Sequence, residues 1–226
     1  MPSAELAKAS KHPNCTLLPY HQPEGNTARI TGCSHCSTFS TMNIIFFGAP
    51  GVGKGTQAAM LAERLAIPHI STGAIFRAAI QSGQELGQKV KHYTDNGLLV
   101  PDELTTEIAV SALNEPGCAS GFILDGFPRN LGQAEALAAA LTAAGRTIDR
   151  VIYLTAPEEE IVERMLNRGR VDDNEEVIKR RLEVYDQETS PVLGFYRAAS
   201  GNVVMEVNGL GEVAEVQERI VAALKQ

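Results

Sequence analysis

The chain has 226 residues, 44% hydrophobic and 21% charged, with a formal net charge of −7. That is the composition of an ordinary globular protein of one or two domains, and it excludes collagen-like, disulfide-stapled and wholly disordered chains. The acidic balance and the absence of Trp argue against a nucleic-acid partner, and no apolar run reaches the roughly 18 residues of a membrane span.

Residues 1–41 carry ten Ser/Thr, four Pro and three His, without hydrophobic periodicity. Such a segment buries too little apolar surface to offset its ordering entropy, so we read 1–41 as a disordered N-terminal extension and 42–226 as the folded domain. It has no apolar stretch for a secretory signal, and its single arginine, Arg29, weakens a transit-peptide reading. Met42, directly before the first strand, points to translation begun upstream of the true start. Three of the four cysteines, Cys15, Cys33 and Cys36, lie in this segment, and Cys118 stands alone in the remainder. A lone C-x-x-C with His35 inside falls short of a closed zinc set, so no structural zinc is expected. The lone Cys118 fits a reducing, cytoplasmic compartment.

From Met42 the pattern alternates. Asn43–Phe47 reads as a buried strand, followed by a Gly-rich turn and a helix over Thr56–Leu65. Pro68–Ile70 reads as a second strand. Thr72–Gln81 and Glu85–Asp95 read as short helices, and Pro101-Asp102 opens another with Pro early in its first turn. Phe122–Asp125 is a third strand and Leu131–Ala144 a helix closed by Gly145. Val151–Leu154 is a fourth strand and Glu158–Leu166 a helix. Asn174–Arg197 is helical, kinked or divided at Pro191. Val203–Val207 is a fifth strand and Glu212–Leu224 a last helix. Five apolar strands separated by helices predict an α/β fold, a five-stranded parallel sheet with helices on both faces.

The strongest motif is Gly48-Ala-Pro-Gly51-Val52-Gly53-Lys54-Gly55-Thr56, between a predicted strand and a predicted helix. Glycines let backbone N–H groups converge on phosphate oxygens, the helix N-terminus adds partial positive charge, and Lys54 adds a full one. The hydroxyl stands one residue later than in the general phosphate-loop pattern, at Thr56. Mg²⁺ is therefore expected to be held by phosphates and waters, with no direct protein ligand.

This loop variant resembles that of the adenylate kinase family of nucleoside monophosphate kinases. Further segments resemble the same family in order: Ile70-Ser-Thr-Gly-Ala-Ile-Phe-Arg77, Gly97-Leu-Leu-Val-Pro-Asp102-Glu103, Asp125-Gly-Phe-Pro-Arg129 followed by Gln133, and Arg168-Gly-Arg170-Val-Asp-Asp173 followed by Arg181. The resemblance implies a P-loop NTPase-type fold and Mg²⁺-dependent conversion of ATP and AMP into two ADP. It implies a helical AMP-binding segment at 71–100 and a short lid at 167–173; separately, no apolar surface stripe forces association, which favours a monomer. It implies that Gly51, Val52, Gly53, Lys54, Gly55, Thr56, Arg164, Arg168 and the Gly211 backbone bind ATP. Thr72, Arg77, Leu98, Leu99, Val100, Gly126, Phe127, Pro128, Arg129 and Gln133 would bind AMP. Arg170 and Arg181 would close over the transferring phosphoryl, and Asp125 would order waters around Mg²⁺.

Chemistry supports the implied set. Two polyphosphates held end to end repel each other, and arginines, planar and always charged, neutralise that repulsion. Arg181 falls on the apolar stripe of its helix, where it needs an anionic partner. By resemblance, Thr72 and Gln133 favour adenine over a pyrimidine as acceptor base. The bland alternatives are a solvent-facing Gln133 and an Asp125 that caps the next turn. Ala74 departs from the family, which usually has an acid there, so the rate or the metal dependence is expected to suffer. The competing functions are a UMP/CMP kinase and a non-catalytic nucleotide-binding regulator. A GTPase is excluded, because neither D-x-x-G nor N-K-x-D occurs.

Overall fold

A computed structural model describes residues 42–170, 173–199 and 202–225. The extension 1–41 with its three cysteines, and Val171 and Asp172 of the expected lid, lie outside the described residues.

Five strands, β1 (Met42–Phe47), β2 (His69–Ser71), β3 (Gly121–Asp125), β4 (Arg150–Thr155) and β5 (Val204–Asn208), form one sheet in the order β2-β3-β1-β4-β5. Every neighbouring pair is parallel, with Phe46 opposite Asp125 and Ser71 opposite Asp125 in register. Parallel pairing needs crossovers, and the helices supply them: α1 (Lys54–Leu65), α2 (Thr72–Gln81), α3 (Glu85–Asp95), α4 (Asp102–Leu113), α5 (Leu131–Ala143), α6 (Glu158–Asn167), α7 (Glu175–Val184), α8 (Val192–Ala199) and α9 (Val213–Leu224).

Strand alternation sends side chains to two separate cores. Ile44, Phe46, Ile123 and Ile152 pack with α1, α6 and α9 on one face. Ile45, Phe47, Phe122 and Leu124 pack with α4, α5 and α8 on the other. Phe46 and Phe122 are 2% and 0% exposed, and each such side chain contributes about 1.5–3 kcal/mol by leaving water. A small third cluster of Phe76, Val90 and Val100 holds α2 and α3 together.

The expected architecture is therefore present, with shifted boundaries. The first helix starts at Lys54, not Thr56, because Gly53 at φ 106° caps it two residues earlier. The second strand is His69–Ser71, one residue later than expected, because Pro68 has no N–H for a ladder and its carbonyl accepts Ile123 N at 2.8 Å. Pro101 precedes α4 as its cap and is not inside its first turn. The expected helix 174–197 is two helices, α7 and α8, joined through a π-helical turn at Tyr185–Thr189. Pro191 directly precedes α8, where a missing N–H leaves no helical bond unmade. A 3₁₀ turn at Pro116–Ser120, with no periodic signal of its own, leads into β3. Among the described residues no helix is long and apolar enough to cross a membrane.

Candidate functional site

The C-terminal ends of β1, β2 and β3 open onto a cleft of about 990 Å³. Open α/β sheets bind ligands at this edge, because loops and helix N-termini converge there. Every site residue expected from sequence lines this one cleft, from the phosphate loop through Thr72, Arg77, Leu98–Val100, Asp125–Arg129 and Gln133 to the four arginines of α6, the lid and α7 and to Gly211.

The loop between β1 and α1 is pinned by close approach. A Cβ on Gly48 would stand 2.4 Å from Leu154 O, and one on Gly51 would stand 2.6 Å from Met165 Cγ. Both glycines have positive φ, so any other residue would be strained as well as crowded. Lys54 curls back over the loop and donates to Gly48 O at 2.7 Å and Ala49 O at 2.8 Å. Burial pushes its ammonium down to about 8; Asp125 opposes that shift, while Arg129 and Arg168 add to it. Thr56, two residues along the same helix, is exposed in the cleft.

Asp125, 9% exposed, ends β3 beside the loop. Its Oδ2 accepts Ser71 Oγ at 3.2 Å. His69 Nε2 stands 3.8 Å from the same oxygen, beyond hydrogen-bond distance, and has no hydrogen-bond partner. Burial by itself would raise the carboxyl pKa, but the facing His69, Lys54 and Arg129 outweigh it and hold Asp125 below the usual carboxylate range. Sequence reading missed Ser71 and His69, although Ser71 lies in the strand-to-helix segment that resembles the family and His69 directly precedes it.

Beyond β3 the chain turns through Gly126, whose carbonyl accepts Thr72 Oγ1 at 3.0 Å and Arg129 Nε at 2.8 Å. Thr72 is 1% exposed and Gln133 is 1% exposed, so the solvent-facing alternative for Gln133 is wrong. Gln133 lies on the first turn of α5, whose inner face packs on the sheet. Leu98 follows Gly97, where a Cβ would approach Val177 O to 3.0 Å, and Val100 anchors the segment in the α2–α3 cluster.

The arginines are held in place by named partners. Arg164 Nε donates to Glu160 at 2.7 Å, and Arg164 Nη1 donates to Gly209 O at 3.0 Å, tying α6 to the loop after β5. Asp173, with its side chain 1% exposed, accepts from both Arg168 and Arg181, the latter at 2.8 Å. The inward-facing Arg181 thus has its anionic partner, and Arg181 Nη2 also donates to Thr94 O at 3.3 Å. Arg170, in the middle of the expected lid, lines the cleft. Asp173 was visible in the Asp-Asp run but drew no role, since nothing local shows which arginines it meets.

One cleft is thus lined by a glycine-rich loop at a helix N-terminus, by several arginines and by the carboxylate of Asp125. The family model described as "Adenylate kinase" matches residues 46–201. Curated relatives agree. Over 183 aligned residues the chain is 49% identical to the adenylate kinase of Mycobacteroides abscessus, covering 81% of this chain and 99% of that protein. It is 46% identical to that of Nocardia farcinica over the same shares, and 42% identical to that of Streptomyces avermitilis over 82% of this chain and 98% of that protein.

Proposed function

The chain belongs to the adenylate kinase family, and from that premise we propose how its residues divide the reaction ATP + AMP ⇌ 2 ADP. It is a phosphotransferase. The curated relatives named above are all adenylate kinases, which disfavours the UMP/CMP-kinase and non-catalytic readings. The observation that carries the residue assignment is that both expected nucleotide-binding sets line one cleft together with Asp125.

Gly51–Thr56 bind the β- and γ-phosphates of ATP, with Lys54 leaving its loop carbonyls for the phosphate oxygens. Arg164 and Arg168 bind the same nucleotide, and the Gly211 backbone faces its base. Thr72, Arg77, Leu98–Val100, Gly126–Arg129 and Gln133 bind AMP. An oxygen of the AMP phosphate attacks the γ-phosphorus while the bond to the β–γ bridging oxygen breaks, and ADP leaves on each side. No side chain becomes covalently attached. The charge spread over the transferring group is met by Lys54, Arg129, Arg168, Arg170 and Arg181, fixed before the reaction begins. The lid at 167–173 and the segment at 71–100 close to exclude water, which would otherwise accept the phosphoryl group.

Adenylate kinases use Mg²⁺ with ATP. Two features of the site suit it: an anionic Asp125 and the Thr56 hydroxyl, both hard oxygen donors at the phosphate loop. Asp125 would hold it through water. Bound there, Mg²⁺ neutralises phosphate charge and aligns the two nucleotides.

The enzyme works as a cytoplasmic monomer. Among the described residues the exposed large apolar side chains, Met60, Leu131, Leu166 and Val213, lie on four different helices, and Cys118 is a buried free thiol. The test is an acceptor panel: MgATP is offered with AMP, CMP, UMP or GMP and the products are separated. ADP formed rapidly with AMP alone supports the assignment. Faster turnover with a pyrimidine monophosphate overturns the roles of Thr72 and Gln133.

A further inference from the structure

Gln133 is gripped from two sides by partners of opposite hydrogen-bonding character. Its Oε1 accepts Arg129 N at 2.8 Å, and its Nε2 donates to Asp102 Oδ1 at 2.7 Å. A backbone N–H only donates and a carboxylate only accepts, so these two neighbours admit one orientation of the amide. Turning it over would set oxygen against carboxylate and N–H against N–H, in a residue 1% exposed. Asp102 is itself held: Asn130 Nδ2 donates to its Oδ1 at 2.9 Å and its Oδ2 at 3.0 Å. Asn130 is oriented in turn, because its Oδ1 accepts Gln133 N at 2.9 Å and caps α5.

A primary amide has two N–H groups and two oxygen lone pairs. One of each is taken, which leaves one N–H and one lone pair. Their sense is not symmetric toward purines. Adenine offers an acceptor at N1 and a donor at its 6-amino group, whereas a 6-oxo purine offers a donor at N1 and an acceptor at O6. A freely turning glutamine would satisfy either; a locked one satisfies only the first and leaves the second with unpaired groups.

We propose that Asp102 is a positioning residue that locks the Gln133 amide in the sense matching a 6-amino purine and so excludes 6-oxo purine monophosphates from the acceptor site. The proposal rests on the reading of Gln133 as the contact to the acceptor base. Asp102 acts from behind Gln133, at the first position of α4, and need not touch the nucleotide.

The experiment compares AMP with IMP, which differs at the 6-position without an added 2-amino group. The ratio of kcat/KM for the two acceptors is measured in the full chain, with KM for ATP as a control. Because both acceptors meet the same sample, partial unfolding leaves the ratio untouched. Asp102→Ala is expected to lower the AMP/IMP ratio by about ten-fold or more, with KM for ATP unchanged. Asp102→Ser, which keeps a polar side chain at the first position of α4 but falls short of Gln133, reads the same loss should the alanine form not fold. In a Gln133→Ala background, adding Asp102→Ala should change the ratio no further. If Gln133→Ala lowers the ratio but Asp102→Ala and Asp102→Ser leave it near wild type, the lock is overturned and the base contact stands. If Gln133→Ala itself leaves the ratio unchanged, the base contact fails and the lock fails with it.

Discussion

The carboxylate of Asp173, 1% exposed, accepts Arg181 Nη1 at 2.8 Å and so joins the lid to α7. The same carboxylate pairs with Arg168, so one anion orders two of the cations expected at the transferring phosphoryl.

Removing that anion takes from Arg168 and Arg181 the carboxylate they share. Breaking a fully buried pair costs about 3–5 kcal/mol, but Arg168 and Arg181 are 25% and 17% exposed, so water softens the loss. Asp173→Ala should destabilise the protein by about 1–3 kcal/mol, read as a lower denaturant midpoint at unchanged slope. An unchanged midpoint would show that the arginines do not depend on Asp173.

Lys54 is the charge closest to the loop carbonyls Gly48 and Ala49. Lys54→Met preserves its length and removes its charge. Turnover should fall by on the order of 10²-fold or more, with the melting temperature little changed. Near wild-type turnover would remove Lys54 from the catalytic set.

The same lysine predicts a pH signature. Its pKa in the free protein is about 8, lowered chiefly by burial, so it loses its proton as pH rises through that value. ATP phosphates favour the ammonium and raise its pKa, so binding takes up protons near pH 8 and weakens at higher pH. Calorimetry in buffers of different ionisation enthalpy should show uptake approaching one proton per ATP at pH 8.5–9. Uptake should be absent at pH 6, where Lys54 is already charged, and absent at both pH values in Lys54→Met. The lowered pKa also makes folding stability rise with pH between about 8 and 10.5, where the unfolded chain binds the extra proton.

Ala74 is exposed in the cleft, with its N–H on Ser71 Oγ at 3.4 Å, at the position where the family usually has an acid. Ala74→Asp adds a second carboxylate near Asp125. The Mg²⁺ concentration giving half-maximal turnover should fall by about 2–10-fold, and Mn²⁺ titration of the ATP complex, followed by electron spin resonance, should tighten in parallel. No change in either would mean that Asp125 alone sets the metal dependence.

The family match begins at residue 46, and the relatives align with 81% of the chain. Deleting residues 1–41 should therefore leave both melting temperature and turnover unchanged. A large loss in either would make the segment part of the folded enzyme.

Much of this protein was legible without coordinates. Thr72–Gln81 and Glu85–Asp95 end where periodicity and capping end them. The phosphate loop announces itself because its chemistry is local: glycines, a lysine and a helix N-terminus follow one another along the chain. What the residues in series could not reveal are the pairings across it. Asp102 meets Gln133 from 31 positions away, and Arg164 meets Gly209 from 45. Asp173 and Arg181 are only eight apart, yet they meet because the chain turns between the lid and α7. Periodicity carries the faces of helices and strands, so it determined the fold class, and the motifs resembling the family picked out residues that line one cleft. Hydrogen bonds between side chains depend on distances of a few tenths of an ångström between elements packed side by side, and only the tertiary structure decided those.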